Sequence, residues 1–310
     1  MLLKQIMEVY EQVDTATASG DKVKEYLKTY GAKDVEVKTI TGEKGSTDFI
    51  RVRIPGVNGK SKGKDAPTIG ILGRLGGIGA RPEMIGMVSD GDGAIVALAV
   101  AAKLLDMQNK GDFLDGDVVV STHICPDAPT QPHKPVPFMG SPVDMATVNK
   151  EEVDGELDAI LSIDTTKGNK VINHRGFAIS PTVKEGYILK TSNDLLDIME
   201  ITTGKLPVVF PLSNQDITPY GNGLYHLNSI LQPATATKAP VVGVAITTEV
   251  AVPGCATGAS HPFDLEQAAR FTLEVAKQYG RGDCKFYDKV EFDRLIKLYG
   301  SMSHMQTLGK

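Results

Sequence analysis

The sequence is poor in cysteine, has no excess of basic residues and contains no long apolar run, and each shortage excludes a class of protein. Its three cysteines, Cys125, Cys255 and Cys284, include no CxxC pair. They are too few for a disulfide scaffold and indicate a reducing compartment. The formal net charge of −5 gives no electrostatic basis for binding nucleic acid or an anionic membrane. No run approaches the roughly 18 to 20 apolar residues that span a bilayer, and residues 1–14 are typical of an amphipathic helix rather than a signal peptide. A cytoplasmic protein is expected.

Apolar segments of two kinds alternate along the chain. Continuous runs typical of buried strands occupy residues 68–73, 117–124, 157–164 and 239–247, and helical spacing occupies residues 95–105 and 264–278. Strands that alternate with helices predict a mainly parallel mixed sheet covered on both faces, that is, a three-layer α/β/α sandwich. No linker or internal repeat divides the sequence. A single α/β domain over residues 1–310 is therefore predicted, with a C-terminal helical tail from about residue 283.

Titratable residues stand where the predicted strands end. Asp90 precedes the central helix, Asp127 and Asp164 follow or end two buried strands, and His261 follows the last strand. Open α/β sheets bind ligands beyond the carboxyl ends of their strands, so these side chains are expected to converge. Three carboxylates and an imidazole suit a divalent metal such as zinc. Aspartate is also the ordinary residue of helix caps and loops, so spacing alone leaves a structural role open.

Five segments in this order resemble the superfamily of co-catalytic zinc aminopeptidases, carboxypeptidases and deacylases. They are SGDKVKEYLKTYGAKDVEV, SDGDGAIVALAVAAKLL, GDVVVSTHICPD, AILSID and PVVGVAITTEVAVPGCATGASHPFDLEQAARF. The resemblance covers most of the chain and implies a phosphorylase/hydrolase-like core of the zinc-exopeptidase type. It places a metal-bridging role on Asp90, further metal-ligand roles on Asp127 and Asp164, and the metal histidine on His261. The chain resembles a bacterial branch of this superfamily with a degenerate metal site.

Two departures from the superfamily pattern affect the expected metal centre. The superfamily has His-x-Asp after the strand at 68–73, where this chain has Arg74. It also has two glutamates where this chain has Pro126-Asp127, and a proline cannot act as the general base. Arg74 would bring a fixed positive charge into the space of the missing metal and would bridge Asp90 and Asp164 by bidentate hydrogen bonds. We therefore expect one zinc ion or none.

Other residues could supply the missing base or contact a ligand. His123, close to the end of a predicted strand, and Glu249, after the last strand, are the candidate catalytic residues. A buried core histidine and a solvated carboxylate are the corresponding structural alternatives. Arg74 and His226 are the candidate substrate-binding residues.

Two functions are compatible with these residues. The first is a metal-dependent hydrolase that cleaves the amide bond of a small peptide or an N-acyl amino acid through metal-activated water. The alternative is a catalytically silent relative that binds a small molecule or regulates, with Arg74 in place of one metal. Likeness of fold cannot decide between them, because function resides in the site. A small-molecule or peptide-like ligand is expected, and a homo-oligomer is compatible with the sequence.

Overall fold

The structure is a computed structural model that describes residues 2–74, 87–131, 138–212, 224, 226–252 and 259–306. A mixed sheet of nine strands forms the middle layer of this part of the chain, and β5 and β6 form a separate two-stranded sheet. The strands are β1 (Val35–Gly42), β2 (Gly45–Ile54), β3 (Ile69–Gly73), β4 (Val118–Ile124), β5 (Thr130–Gln131), β6 (Phe138–Met139), β7 (Ala159–Thr165), β8 (Gly176–Ile179), β9 (Val183–Lys184), β10 (Tyr187–Ile188) and β11 (Val241–Thr247).

Helices cover both faces of the sheet. The α-helices are α1 (Leu3–Val13), α2 (Gly20–Thr29), α3 (Asp92–Asn109), α4 (Met145–Glu152), α5 (Asn193–Thr203), α6 (Pro262–Arg281) and α7 (Lys289–Tyr299), and short 3-10 helices occupy Lys60–Lys62, Ser89–Gly91, Ser229–Thr235 and Ser303–Met305. The three-layer α/β/α sandwich predicted from the sequence is confirmed. In the described part of the chain, no helix is long and apolar enough to cross a membrane.

The central strands β4, β3, β7 and β11 are neighbours in that order and run parallel, whereas β2 and β1 extend the sheet antiparallel on one side. Strands β8 and β9 pair antiparallel with β11 on the other side. The carboxyl ends of the four parallel strands therefore lie at one edge of the sheet. Ligand sites of open α/β sheets lie outside this edge.

Two apolar clusters fill the space on either side of the sheet. The larger one holds α1, α3 and α6 against residues such as Ile71 and Leu161. Helix α3 is buried on nearly all sides, as its apolar composition predicts. The smaller cluster contains Leu72, Val119 and Ile160, which point to the opposite face. Successive strand residues alternate between the two clusters, as expected of strands buried on both faces.

Two segments differ from what their sequence pattern indicates. Helix α4 was not predicted, because it is a single short helix that directly follows a proline-rich segment and has no long apolar stripe. Its start is fixed by Asp144, whose Oδ1 accepts from the backbone N–H of Thr147 at 2.8 Å. Residues 206–212, which have a strand-like sequence, form only an isolated bridge between Val209 and Ile179.

Candidate functional site

The register of the parallel strands places three polar residues side by side. Gly73 pairs with Thr122 on β4 and with Ile163 on β7. One residue further along, Arg74 therefore lies between His123 and Asp164, and its backbone N–H continues the ladder to the carbonyl oxygen of Ile163 at 2.7 Å. All three side chains share the face that carries the smaller apolar cluster, because each lies two residues beyond a position on that face.

Arg74 and His123 are joined by a carboxylate from helix α4. Glu152, the last residue of α4, accepts from Nη1 of Arg74 through Oε2 at 2.5 Å and contacts Nδ1 of His123 through Oε1 at 2.5 Å. The side chains of Arg74, Glu152 and His123 are 3%, 1% and 1% exposed. We refer to these three residues as the inner network.

The electrostatics of the inner network favour an ionised Glu152. Burial alone would raise the pKa of this carboxyl, but the charges and hydrogen bonds of Arg74 and His123 outweigh burial and lower it. An ionised carboxylate only accepts hydrogen bonds, so Nδ1 of His123 is the donor. Nε2 of His123 is buried and has no hydrogen-bond partner among the described residues.

Arg74 is held from a second direction by Gln232 in the 3-10 helix Ser229–Thr235. Its Nη2 donates to Oε1 of Gln232 at 2.9 Å. The sequence predicts that the guanidinium also bridges Asp90 and Asp164, and this stays a prediction. The side-chain hydrogen bonds that the structure describes for Arg74 go to Glu152 and Gln232, and the Arg74 charge lowers the pKa of Asp164.

Asp164 is a buried carboxyl beside this network. Burial raises its pKa to about 7, against the opposing charge of Arg74 and a hydrogen bond from the backbone N–H of Thr165. The charges of Asp90 and Glu152 raise it further. Asp90 is half-buried in the turn Ser89–Gly91. The structure thus brings Arg74, Asp90 and Asp164 within electrostatic range of one another.

A second buried ion pair lies at the start of α3. Nζ of Lys167 lies 2.8 Å from Oδ2 of Asp92, and the hydroxyl of Ser260 donates to Oδ1 of the same carboxylate. Burial raises the pKa of Asp92, and Lys167 acts against that shift. We refer to Asp92, Lys167 and Ser260 as the outer network.

An open cleft of about 320 Å³ lies beside the outer network. His261, directly before α6, lines this cleft together with Arg175 and Glu249. Nδ1 of His261 lies 3.6 Å from Oδ2 of buried Asp264, and Nε of Arg175 lies 3.5 Å from its Oδ1. The cleft brings two predicted site residues, His261 and Glu249, together.

Asp127 and His226 are the two remaining predicted site residues. Asp127 is exposed, and its Oδ2 accepts from the hydroxyl of Ser46 in the β1–β2 hairpin at 2.9 Å. His226 is exposed. Whether either contributes to a site stays a prediction.

The side chains of the described residues do not form a two-metal centre. Within the described ranges, no group of three or more His, Cys, Asp or Glu residues is arranged to hold a metal ion. Both carboxylate oxygens of Glu152 and both of Asp92 are engaged by protein donors, mainly cationic groups. A metal ion at either carboxylate would face a guanidinium or an ammonium at close range, which is unfavourable in a buried site.

Sequence reasoning missed Glu152 and Lys167. Glu152 is distant in sequence from Arg74 and lies on a helix that was not predicted. Lys167 follows Asp164 by three residues, and its position just after a predicted strand is the sequence feature that could have indicated a role at the site. A lysine in a polar loop is usually solvated, so the sequence did not indicate that its ammonium is buried.

Comparison with known proteins identifies the family and the type of fold. A family described as "Protein of unknown function (DUF1177)" matches residues 38–309, and no curated protein matches significantly. Among solved structures, cytosol aminopeptidase from Coxiella burnetii is similar at a TM-score of 0.53 and 15% identity, covering 91% of this chain and 69% of its own.

Two further solved structures show the same fold. The bottromycin maturation enzyme BotP in complex with Mn has a TM-score of 0.50 and 13% identity, covering 88% of this chain and 70% of its own. A mutant of tomato leucine aminopeptidase has a TM-score of 0.51 and 12% identity, covering 87% and 60%. At these identities the likeness establishes the peptidase-like fold alone.

Proposed function

This chain belongs to the DUF1177 family and has a peptidase-like fold, and from its site we propose that it is a small-molecule binding protein in which Arg74 replaces a metal ion. The ligand class we propose is a small peptide or an N-acyl amino acid. The observation that carries the proposal is the inner network, in which Glu152 neutralises Arg74 at the carboxyl edge of the sheet.

The inner network resembles a fixed structural charge pair more than a reactive centre. Both oxygens of Glu152 are engaged, one by Arg74 and one by His123. All three side chains are buried. The cleft at His261 offers a place for a ligand, and its lining residues Val250 and Val252 add apolar contact. Mixed polar and apolar linings are typical of small-molecule sites.

Calorimetric titration with a panel of dipeptides and N-acyl amino acids tests this proposal. We expect saturable binding by the wild type without turnover, whether zinc, manganese or cobalt is added. His261→Ala, at the mouth of the cleft, should weaken binding by about tenfold, which corresponds to the ~1.4 kcal/mol of a typical contact to a charged group. His304→Ala, an exposed histidine outside the cleft, is the matched control. Absence of binding across the panel would count against the proposal.

A second function, amide hydrolysis, is favoured by one observation. Glu152 accepts from Nδ1 of His123 and leaves Nε2 without a hydrogen-bond partner among the described residues, which is the arrangement of a general base held by a carboxylate. The same panel therefore includes a turnover assay with His123→Gln. Turnover by the wild type that falls at least 100-fold in this variant, with binding retained, would establish hydrolysis.

A further inference from the structure

The sheet edge carries a second buried protein cation, the ammonium of Lys167. Its side chain is 6% exposed, and its partner Asp92 is fully buried. The ammonium also lies 3.4 Å from the carbonyl oxygen of Ala259, and the hydroxyl of Ser260 occupies the other oxygen of Asp92. The carboxylate of Asp92 is therefore engaged on both oxygens by groups of this chain.

The outer network lies next to the strand ends that carry the inner network. Asp92 is the first residue of α3, and the next residue, Gly93, packs directly on the ends of β3 and β7. A Cβ atom at Gly93 would lie 2.4 Å from the carbonyl oxygen of Ile163 and 2.8 Å from that of Arg74. Lys167 in turn follows Asp164 by three residues. Two buried cation–carboxylate pairs thus flank the same strand ends.

We propose that Lys167 takes the place of a second cation, so that this edge holds a guanidinium and an ammonium where a two-metal centre would hold metal ions. Asp92 is then a latent ligand for a divalent cation, which the Lys167 ammonium excludes. The inference rests on the proposed function, in which Arg74 replaces the other cation.

Charge and donor chemistry support this assignment. A buried carboxylate requires a nearby positive charge, and an ammonium at 2.8 Å supplies it. The imidazole of His261 is close enough to interact electrostatically with Asp92. If the ammonium were removed, Asp92, Ser260 and His261 would offer carboxylate, hydroxyl and imidazole donors, the kinds of ligand that zinc and manganese accept.

Metal titration of matched lysine variants tests the inference. Zn²⁺ and Mn²⁺ are titrated into the full-length wild type, Lys167→Met and Lys170→Met, each purified without chelator, with circular dichroism to confirm folding. Lys170 is an exposed lysine three residues further along the chain and serves as the control. We expect Lys167→Met to gain one saturable site at least tenfold tighter than any in the wild type. This gain should disappear in Lys167→Met/Asp92→Asn, and Lys170→Met should behave as the wild type. A folded Lys167→Met variant without the gain would overturn the inference.

Asp92→Asn in the wild-type background keeps the test decisive if Lys167→Met does not fold. Wild-type metal binding that Asp92→Asn abolishes would show that Asp92 already serves a metal, and would overturn the inference. Wild-type binding that survives Asp92→Asn would show that this metal lies elsewhere and that Asp92 is not its ligand, as inferred. A wild type that binds neither metal agrees with both the inference and the proposed function.

Discussion

Replacing Glu152 by glutamine tests the inner network in the most direct way. The change removes one negative charge and little volume, so the guanidinium of Arg74 stays buried without its counter-charge. Breaking a buried ion pair from one side costs about 3 to 5 kcal/mol, because the remaining charge is uncompensated. For a chain of this length, a loss of that size lowers the melting temperature by on the order of 5 to 10 °C. Urea denaturation and calorimetry measure the two quantities.

Glu151, which precedes Glu152 in the sequence, provides the matched control. Glu151 pairs with Lys38, whose side chain is 60% exposed, so Glu151→Gln should cost less than about 1 kcal/mol. The double variant Arg74→Met/Glu152→Gln removes both charges and should be more stable than Glu152→Gln alone, because no isolated buried charge remains. Equal losses for Glu151→Gln and Glu152→Gln would refute the buried pairing.

Three further predictions follow from the same contacts. Burial raises the pKa of Asp164 to about 7, above the roughly 3.9 of the unfolded chain, so its stabilising effect is complete below pH ~4 and is lost as the pH rises towards 7. In denaturant titrations, the stability of the wild type should therefore fall relative to that of Asp164→Asn by roughly 1.4 kcal/mol per pH unit within that window. Parallel pH profiles of the two proteins would contradict this prediction. Gly93→Ala should prevent stable folding, since its Cβ would overlap the carbonyl oxygen of Ile163, whereas Gly155→Ala, with open space around the new Cβ, should change stability by less than about 1 kcal/mol. Burial raises the pKa of Cys125 and of Cys284 to about 12. In a Cys255→Ser variant, a thiol reagent at pH 8 should therefore label neither thiol until denaturant is added. Rapid labelling of the native protein would show that one of the two thiols is accessible.

The layers and the strand order near the site could be predicted because the signal lies in continuous segments. The apolar runs at β3, β4, β7 and β11 are long enough to identify buried strands, and their alternation with helices implies parallel neighbours. The position of Arg74 at a strand end, beside Asp164, follows from the same pattern. These features depend on hydrophobic burial along one stretch of chain.

The partners of the polar residues could not be predicted, because they come from distant segments. Glu152 reaches Arg74 across 78 residues of sequence, and Lys167 reaches Asp92 across 75. Each of these contacts depends on how a short helix or a loop packs over the strand ends, and local sequence pattern carries no information about that. The motifs that resemble those of zinc peptidases indicate where ligands would stand, but the choice between a metal ion and a protein cation depends on those long-range partners.

The number of metal ions per chain tests the central claim most directly. Protein purified without chelator is incubated with excess zinc, freed of unbound metal and analysed for zinc by elemental mass spectrometry. If Arg74 and Lys167 take the places of two cations, we expect no zinc bound at this edge of the sheet. Two equivalents, lost together in Asp92→Asn or Asp164→Asn, would show that the edge binds a metal pair and would contradict the account.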